Sequence, residues 1–355
     1  MSTAGHTPST SPGPSASRAS IADVARLAGV APITVSRVAN GSDSVRPDTR
    51  QRVQAAMDKL GYAPNNAARA LRSGSFGAIG LVAHRLARTG ESRTVEGVVE
   101  AARAQGYTVS LVDVTAPTSD EVTAAARRLS HQAIDGLIII RAETTTPAIL
   151  ALPPRLPVVV SDSSLLGRHA AVSSDQVAGT RAAVQHLLDL GHPTVHHLAG
   201  PADSSPAVVR QETWRDTLRA AGRPVPAPWQ GDWTLQSGYE AGARVAADPE
   251  VTAVFCANDE MAAGLMRSLH EQDVAVPGEV SVVGFDDIPV AEYLWPPLTT
   301  VHQDFGRIGA ELVTMVLDRV RGEREQPPHH VEVPTRFVVR ASTAPYTPRT
   351  PAPRH

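Results

Sequence analysis

Apolar residues near the N-terminus recur at helical spacing. They lie three and four positions apart over 21–28, which predicts a helix there, and Ser20 can cap its start. Gly29 ends this helix, and similar patterns predict helices over 32–39 and 47–60. Three short helices in succession indicate a small helical domain.

From about residue 77 the pattern changes, and short apolar runs alternate with amphipathic stretches. The runs with the character of buried strands are 78–83, 107–114, 135–140, 156–162, 195–200, 252–259 and 280–287. Helical periodicity is seen at 94–105, 175–190, 208–221 and 260–271. This rhythm predicts an α/β fold with parallel sheets covered by helices on both faces, and the number of strands favours two similar subdomains.

The two ends of the chain have a different composition. Residues 1–17 and 342–355 are rich in Ser, Thr, Pro and Ala and show no periodicity. Such segments bury too little surface to offset the entropy of ordering, so both are predicted to be disordered tails.

The composition of the 355 residues narrows the class of protein. Cys256 is the single cysteine, so an intramolecular disulfide and a cysteine-rich zinc site are excluded. No apolar run approaches the roughly 20 residues of a membrane span, and no signal peptide is apparent at the N-terminus. We expect a cytoplasmic protein with no metal and no cofactor.

Charge and spacing give the helical domain a candidate role. Ala25, Gly29, Val35 and Val38 follow the helix-turn-helix pattern, in which a small residue and a turn glycine let two helices cross. Residues 18–75 carry nine basic and four acidic side chains, a local charge of +5 in a chain of net charge −3. This concentration favours binding to DNA phosphates. The alternative is a three-helix capping bundle.

Several segments carry a family resemblance. IADVARLAGVAPITVSRVANG and VRPDTRQRVQAAMDKLGYAPNNAARALRSG closely resemble the headpiece and hinge of the lactose-repressor/galactose-repressor family. LDLGH, LAGP, GDW, SVVGFDD and PPLTTVHQDF match as well, so the resemblance covers about residues 20–342. It implies a transcription repressor, not an enzyme, that binds operator DNA as a homodimer and responds to a sugar.

The resemblance implies an order of domains along the chain. A helix-turn-helix headpiece (18–63) is followed by a hinge helix and linker (64–76) and an effector body (77–341) with a periplasmic-binding-protein-like fold. The first lobe of the body would comprise 77–174 and 304–326, and the second 175–303 and 327–341. Three crossovers would join the lobes, with the ligand between them.

The resemblance also suggests which residues contact DNA. Pro32, Ile33 and Arg37 would face base edges, while Thr34, Ser36 and Asn40 would contact phosphates. Leu71 of the hinge would wedge between base pairs in the minor groove and kink the duplex; the alternative is a flexible linker. The remaining positions of the expected DNA-contacting set are Ser20, Tyr62, Asn65 and Ala68.

Polar residues at the ends of predicted strands suggest the effector site, because parallel sheets bind ligands beyond their carboxyl ends. The matched family positions are Asp162, Arg210, Trp233, Asn258, Asp286 and Gln303. Carboxylates, amides and a guanidinium suit sugar hydroxyls, and an indole face suits a pyranose ring. His84 and Arg141 follow strands and are weaker candidates.

Alternatives remain open at several of these positions. Asp259 and Asp287 are interpreted as helix caps, Asn258 and Asp286 as caps or ligand contacts, and Trp233 as a ligand contact or core residue. His192, His196 and His197 form no evident metal site, because neighbouring strand residues face opposite ways. The rival functions are an enzyme and a free sugar-binding protein; a corepressor-type or phosphosugar-responsive regulator is the alternative within the family.

Overall fold

The computed structural model describes residues 19–39, 42, 44–62, 75–114, 119–140, 155–161, 169–322 and 329–348. The chain divides into two compact units, Met1–Ser75 and Phe76–His355. Asn40, Asn65, Ala68, Leu71, Arg141 and Asp162, together with the predicted hinge helix, lie outside the described residues. Among the described helices none is long and apolar enough to cross a membrane.

The headpiece consists of helices α1 (Ile21–Ala28), α2 (Pro32–Ala39) and α3 (Pro47–Leu60). Ser20 caps α1 in a reciprocal capping box with Asp23, and Gly29 closes it in the left-handed conformation with φ 65°. Gly61 ends α3 in the same way. The three predicted helices and their boundary signals are therefore confirmed, because each signal is local in sequence.

The first lobe is built on a six-stranded parallel sheet. In chain order its elements are β1 (Ala78–His84), α4 (Thr89–Ala104), β2 (Thr108–Val114), α5 (Ser119–Ser130), β3 (Gly136–Ile140), β4 (Val158–Ser161), β5 (Ala170–Ser174), α10 (Phe305–Val320) and β11 (His330–Val333). The strand order is β11-β5-β4-β3-β1-β2. Side chains alternate along β3, so Ile138 packs on the face of α4 and α10 while Ile139 packs on the face of α5.

The second lobe repeats this architecture. Its elements are α6 (Gln176–Asp189), β6 (His196–Ala199), α7 (Ser205–Ala220), β7 (Trp229–Gln230), α8 (Leu235–Ala247), β8 (Ala253–Cys256), α9 (Asp259–Glu271), β9 (Ser281–Val283), β10 (Thr300–His302) and β12 (Arg336–Val338), with a 3₁₀ turn at Pro289–Tyr293. The parallel sheet has the order β7-β6-β8-β9, and β10 pairs with β12 antiparallel. The predicted α/β class and the two-lobed, periplasmic-binding-protein-like architecture are confirmed.

The chain passes between the lobes at three described places: after β5, after β10 and after β11. The last crossover differs from the predicted boundary at 327, because β11 pairs with β5 in the first sheet and only then does the chain enter β12. Its register, His330 opposite Ala171 and Val333 opposite Ser174, links segments far apart in sequence. Sequence periodicity carries no information about such a pairing.

The C-terminal tail also begins later than predicted. Ser342 is buried, and its hydroxyl donates to the Val282 carbonyl at 2.6 Å. The Tyr346 amide donates to the Leu190 carbonyl at 2.8 Å, and the Tyr346 ring meets the His192 ring edge-on. Residues 342–348 therefore pack on the second lobe, and the expectation of disorder from residue 342 is wrong.

Two helices cross closely beneath the cleft between the lobes. A Cβ atom on Gly97 of α4 would lie 3.0 Å from the Gly306 Cα, and one on Gly309 of α10 would lie 2.5 Å from the Val98 nitrogen. Glycine at both positions lets the two backbones touch. This contact brings the N-terminal ends of α4 and α10 side by side at the cleft.

Candidate ligand cavity and headpiece surface

A cavity of about 550 Å³ lies between the two lobes. The first lobe contributes the turn after β1 and the start of α4, and the second lobe contributes the carboxyl ends of its strands. Five of the seven predicted ligand residues line the cavity: Arg210, Trp233, Asn258, Asp286 and Gln303. This position at the strand ends follows from the parallel topology.

Arg210 forms the centre of the second-lobe wall. Its Nε donates to the Gln176 Oε1 at 2.8 Å, its Nη1 donates to the Ala257 carbonyl, and its Nη2 lies 3.5 Å from the Asp286 Oδ1. The guanidinium stacks over the Phe285 ring at 3.7 Å. These contacts hold a buried planar cation in one orientation, as bidentate recognition of a ligand requires.

Amide side chains connect this cation to the crossovers. The Gln303 Nε2 donates to the Asp286 Oδ1 at 2.5 Å, and the Gln176 Nε2 donates to the Gln303 Oε1 at 3.2 Å. Both glutamines lie where the chain passes between lobes. The network is buried and hydrogen-bonded, which favours a precise arrangement of donors and acceptors.

The residues that follow β9 have an unusual backbone. Asp286 has φ 113° and Asp287 has φ 57°, values that non-glycine residues rarely adopt. Asp259 supports this turn, because its carboxylate accepts from the Ile288 amide at 2.8 Å and from the Thr300 hydroxyl at 2.5 Å. Burial, and secondly the neighbouring Asp286, raise the pKa of Asp259 well above its ordinary value.

Two interpretations as helix caps are therefore wrong. Asp259 supports the turn before Ile288, while the cap of α9 is Asn258, whose Oδ1 accepts from the Met261 amide at 3.0 Å. Asp287 caps no helix either, since its carboxylate accepts from Arg340 at 2.7 Å and lies 3.0 Å from the His302 Nδ1. Both partners of Asp287 are remote in sequence, so no local pattern reveals them.

His84 is not among the residues that line the cavity. It is fully buried, and its backbone amide donates to the Glu91 Oε2 at 2.7 Å. Glu91, itself buried, is among the residues that line the cavity. The predicted ligand contact of His84 is therefore not supported by the geometry of the cavity, and Glu91 lines it instead.

Sequence reasoning missed several lining residues. Gln176, Glu91, Asp232, Glu260 and Phe305 line the cavity as well. Gln176 and Phe305 each begin a helix just after a crossover, which is a position that only the lobe boundaries identify. Phe305 also adds an aromatic face that the first-lobe loops lack.

The three histidines of the second lobe have separate environments. The His197 ring stacks on Phe255 and its Nδ1 lies 2.9 Å from the Phe255 carbonyl, whereas His196 stacks on Trp229. The His192 ring lies 3.0 Å from the Thr252 hydroxyl. Within the described ranges, no group of three or more His, Cys, Asp or Glu side chains is arranged to hold a metal ion.

Cys256 is buried, and burial raises the pKa of its thiol.

The headpiece presents part of α2 on its surface. Val35 and Val38 are buried against α1 and α3, while Pro32, Ile33 and Arg37 are exposed and Thr34 and Ser36 are half-exposed. The Ile33 side chain is 59% exposed and therefore available for apolar contact. Ser20 is engaged in the α1 capping box, and Tyr62 packs against the headpiece core.

Comparisons with known proteins agree with both halves of the molecule. Residues 20–65 match the model of bacterial regulatory proteins of the lacI family, and residues 184–343 match a periplasmic binding protein-like domain. The ribose operon repressor of Escherichia coli is 32% identical over 308 residues, which cover 85% of this chain and 93% of the relative. The transcriptional repressor PurR of Vibrio parahaemolyticus is 32% identical over 91% of this chain and 98% of the relative.

A solved structure shows the same architecture. The lac repressor dimer bound to operator and the anti-inducer ONPF has a TM-score of 0.83 and 32% identity, and covers 92% of this chain and 100% of that chain. These matches extend over the headpiece and the body together. The chain therefore belongs to the LacI family of bacterial regulatory proteins, a non-enzymatic family that includes the two repressors described above.

Proposed function

We propose that this protein is a transcription repressor that binds operator DNA and is released from it by a sugar or small glycoside. The observation that carries the proposal is the occurrence, in one chain, of an exposed helix-turn-helix surface and a cavity lined by Arg210, Asn258, Asp286 and Gln303. These groups match the hydroxyls of a sugar, each of which both donates and accepts. Trp233 and Phe305 offer apolar faces for the ring.

The charge of the cavity favours a neutral ligand over a phosphosugar. The described lining residues include three arginines and five acidic residues. The arginines are Arg85, Arg88 and Arg210, and the acidic residues are Glu91, Asp113, Asp232, Glu260 and Asp286. Arg210 is paired with Asp286. A net acidic wall raises the cost of placing a phosphate there, because like charges in a partly desolvated site repel strongly.

The exposed surface of α2 supports the DNA-contacting roles that the family resemblance implies. Pro32 and Ile33 have no side-chain donors, so they contribute shape and apolar contact with thymine methyls, and Arg37 contributes the guanine or phosphate contact. Thr34 and Ser36 contact phosphates of the DNA backbone. Asn40, Asn65, Ala68 and Leu71 are proposed from the family resemblance alone.

We also propose that the repressor is a homodimer that acts in the cytoplasm, where its DNA lies. Its similarity to the lac repressor dimer supports this assembly. A pseudo-palindromic operator follows from two-fold symmetry, since each headpiece reads one half-site.

One experiment tests the proposal as a whole. An operator is first selected from random duplexes with the full-length protein, and its affinity is measured with D-ribose, cellobiose, ribose 5-phosphate and hypoxanthine added in turn. We expect one of the neutral sugars to weaken operator binding. Tighter binding with a sugar would indicate a corepressor, and a response to the phosphosugar or the base alone would contradict the proposed ligand class.

A further inference from the structure

A chain of hydrogen bonds crosses the cleft between the two lobes. Glu260, the second residue of α9, reaches from the second lobe to the first, and its Oε1 accepts from the hydroxyl of Thr89, the first residue of α4. Its other oxygen, Oε2, accepts from the Asn258 Nδ2 at 2.8 Å. Glu260, Thr89 and Asn258 all line the cavity.

Asn258 has a fixed orientation within this chain. Its Oδ1 accepts from the Met261 amide at 3.0 Å, and its Nδ2 donates to the Trp233 carbonyl at 3.0 Å as well as to Glu260. An amide nitrogen has two hydrogens, so these two contacts use both. The side chain is buried, and any rotation would break the α9 cap together with the contact to Glu260.

We propose that Glu260 is a positioning residue that couples the orientation of Asn258 to the approach of the two lobes. When the lobes are together, Thr89 and Asn258 hold one carboxylate from opposite sides, and the amide faces the cavity in a single arrangement. When the lobes separate, Glu260 loses the first-lobe donor. A ligand that engages Asn258 must then influence the lobes through this carboxylate, and by reciprocity lobe closure must influence the affinity of the ligand.

This inference rests on the proposed function only where it concerns the affinity of the effector. The bridge itself is tested without a ligand. Exposed positions on each lobe, Glu100 on α4 and Arg244 on α8, accept nitroxide labels after Glu100→Cys and Arg244→Cys substitution. The native Cys256 is buried and is not expected to react. Distances between the labels then report the separation of the lobes in solution.

The expected results follow from the chemistry of each side chain. Glu260→Ala and Thr89→Val should each lower the ratio of closed to open lobes by about tenfold, the effect of one hydrogen bond to a charged group. Glu260→Gln should retain the closed distance, because its carbonyl accepts from Asn258 and its amide nitrogen donates to the Thr89 oxygen. Glu260→Asp is too short to hold both partners and should resemble the alanine variant.

A double variant and a matched control complete the test. Thr89→Val combined with Glu260→Ala should open the lobes no further than either change alone, because both remove the same contact. Glu271→Ala, at the other end of α9, removes a carboxylate that is bonded to Tyr239 within the second lobe and should leave the distance unchanged. An unchanged distance in Glu260→Ala, or additive effects of the two bridge substitutions, would overturn the proposal. A failure of the proposed function would instead leave the bridge intact and abolish only the response to sugars.

Discussion

Arg37 is the exposed basic residue of α2, and the test of its role is selectivity for an operator. Arg37→Ala should reduce the preference for the selected operator over random duplex by about ten- to a hundredfold, because a good contact to a base edge contributes roughly 1–3 kcal/mol of discrimination. Gel shifts against both duplexes measure this ratio.

Arg26→Ala is the matched control for Arg37. Arg26 is also exposed in the headpiece, but it lies on α1 and pairs with Asp23 at 3.1 Å. Its loss should weaken binding to both duplexes alike, as removal of one positive charge does. If the Arg37 variant and the wild type bound the operator with equal affinity, Arg37 would not contribute to operator recognition.

Arg210 is the second residue whose chemistry can be tested alone. Arg210→Lys keeps the positive charge but loses the planar fork that contacts Gln176, Ala257 and Asp286. We expect calorimetry with the releasing sugar to show a loss of affinity of about a hundredfold or more, at unchanged headpiece affinity for DNA. Arg219→Ala, on the exposed side of the same helix, serves as the control and should bind the sugar normally.

At the scale of elements, the contact between α4 and α10 sets the floor of the cleft. Gly309→Ala places a methyl group 2.5 Å from the Val98 nitrogen, so the two backbones must separate. We expect a loss of about 1–3 kcal/mol in the free energy of unfolding, measured by urea denaturation of the whole chain. Gly278→Ala, whose new methyl group would meet its nearest neighbour at 3.4 Å, should change the stability much less.

The buried strand residue His197 gives the second lobe a predictable dependence on pH. Burial lowers the pKa of His197 to about 4 in the folded protein, against an ordinary value of 6.5. The unfolded chain therefore binds the proton first as the pH falls, and stability should decline between pH 6.5 and 4. In His197→Phe, which keeps the stacking on Phe255, the free energy of unfolding should fall less over this pH range than in the wild type. The difference between the two proteins should reach at most about 3 kcal/mol. Parallel decline in both proteins would assign the effect to other groups.

The elements differ in how far the sequence predicts them. The headpiece helices and the strands β1, β3 and β8 follow from local signals such as the Ser20 cap and the apolar run of β3. Arg210, Asn258 and Asp286 meet in one cavity because strand ends of a parallel sheet share one edge. β5 (AAVSS) and β11 (HVEV) are short and lack a long apolar run, so the sequence pattern predicts neither strand. The packing of residues 342–348 depends on Leu190 and His192, and no local pattern indicates those partners.

At the scale of the whole molecule, the second lobe exposes three large apolar side chains within six residues of sequence, Val290, Tyr293 and Trp295. Trp295 is 95% exposed, and a cluster of large apolar side chains on a surface is typical of an interface. Trp295→Arg should convert the proposed dimer into monomers, as measured by light scattering over a range of concentrations.

Val225→Arg is the control for the dimer prediction, since Val225 is an exposed apolar residue in the loop between α7 and β7 of the second lobe. It should leave the mass of the dimer unchanged. Dimers that persist with Trp295→Arg would locate the interface elsewhere.

The pairing of β5 with β11 has a consequence for synthesis of the chain on the ribosome. β11 follows β5 by about 160 residues, and at a rate of roughly 5–20 residues per second its arrival is delayed by about 8 to 30 seconds. Throughout that time the backbone donors and acceptors along one edge of β5 have no strand to pair with, which is the condition under which nascent chains associate with one another. During translation, chaperones should therefore bind mainly to the first lobe, although most of its residues emerge before those of the second.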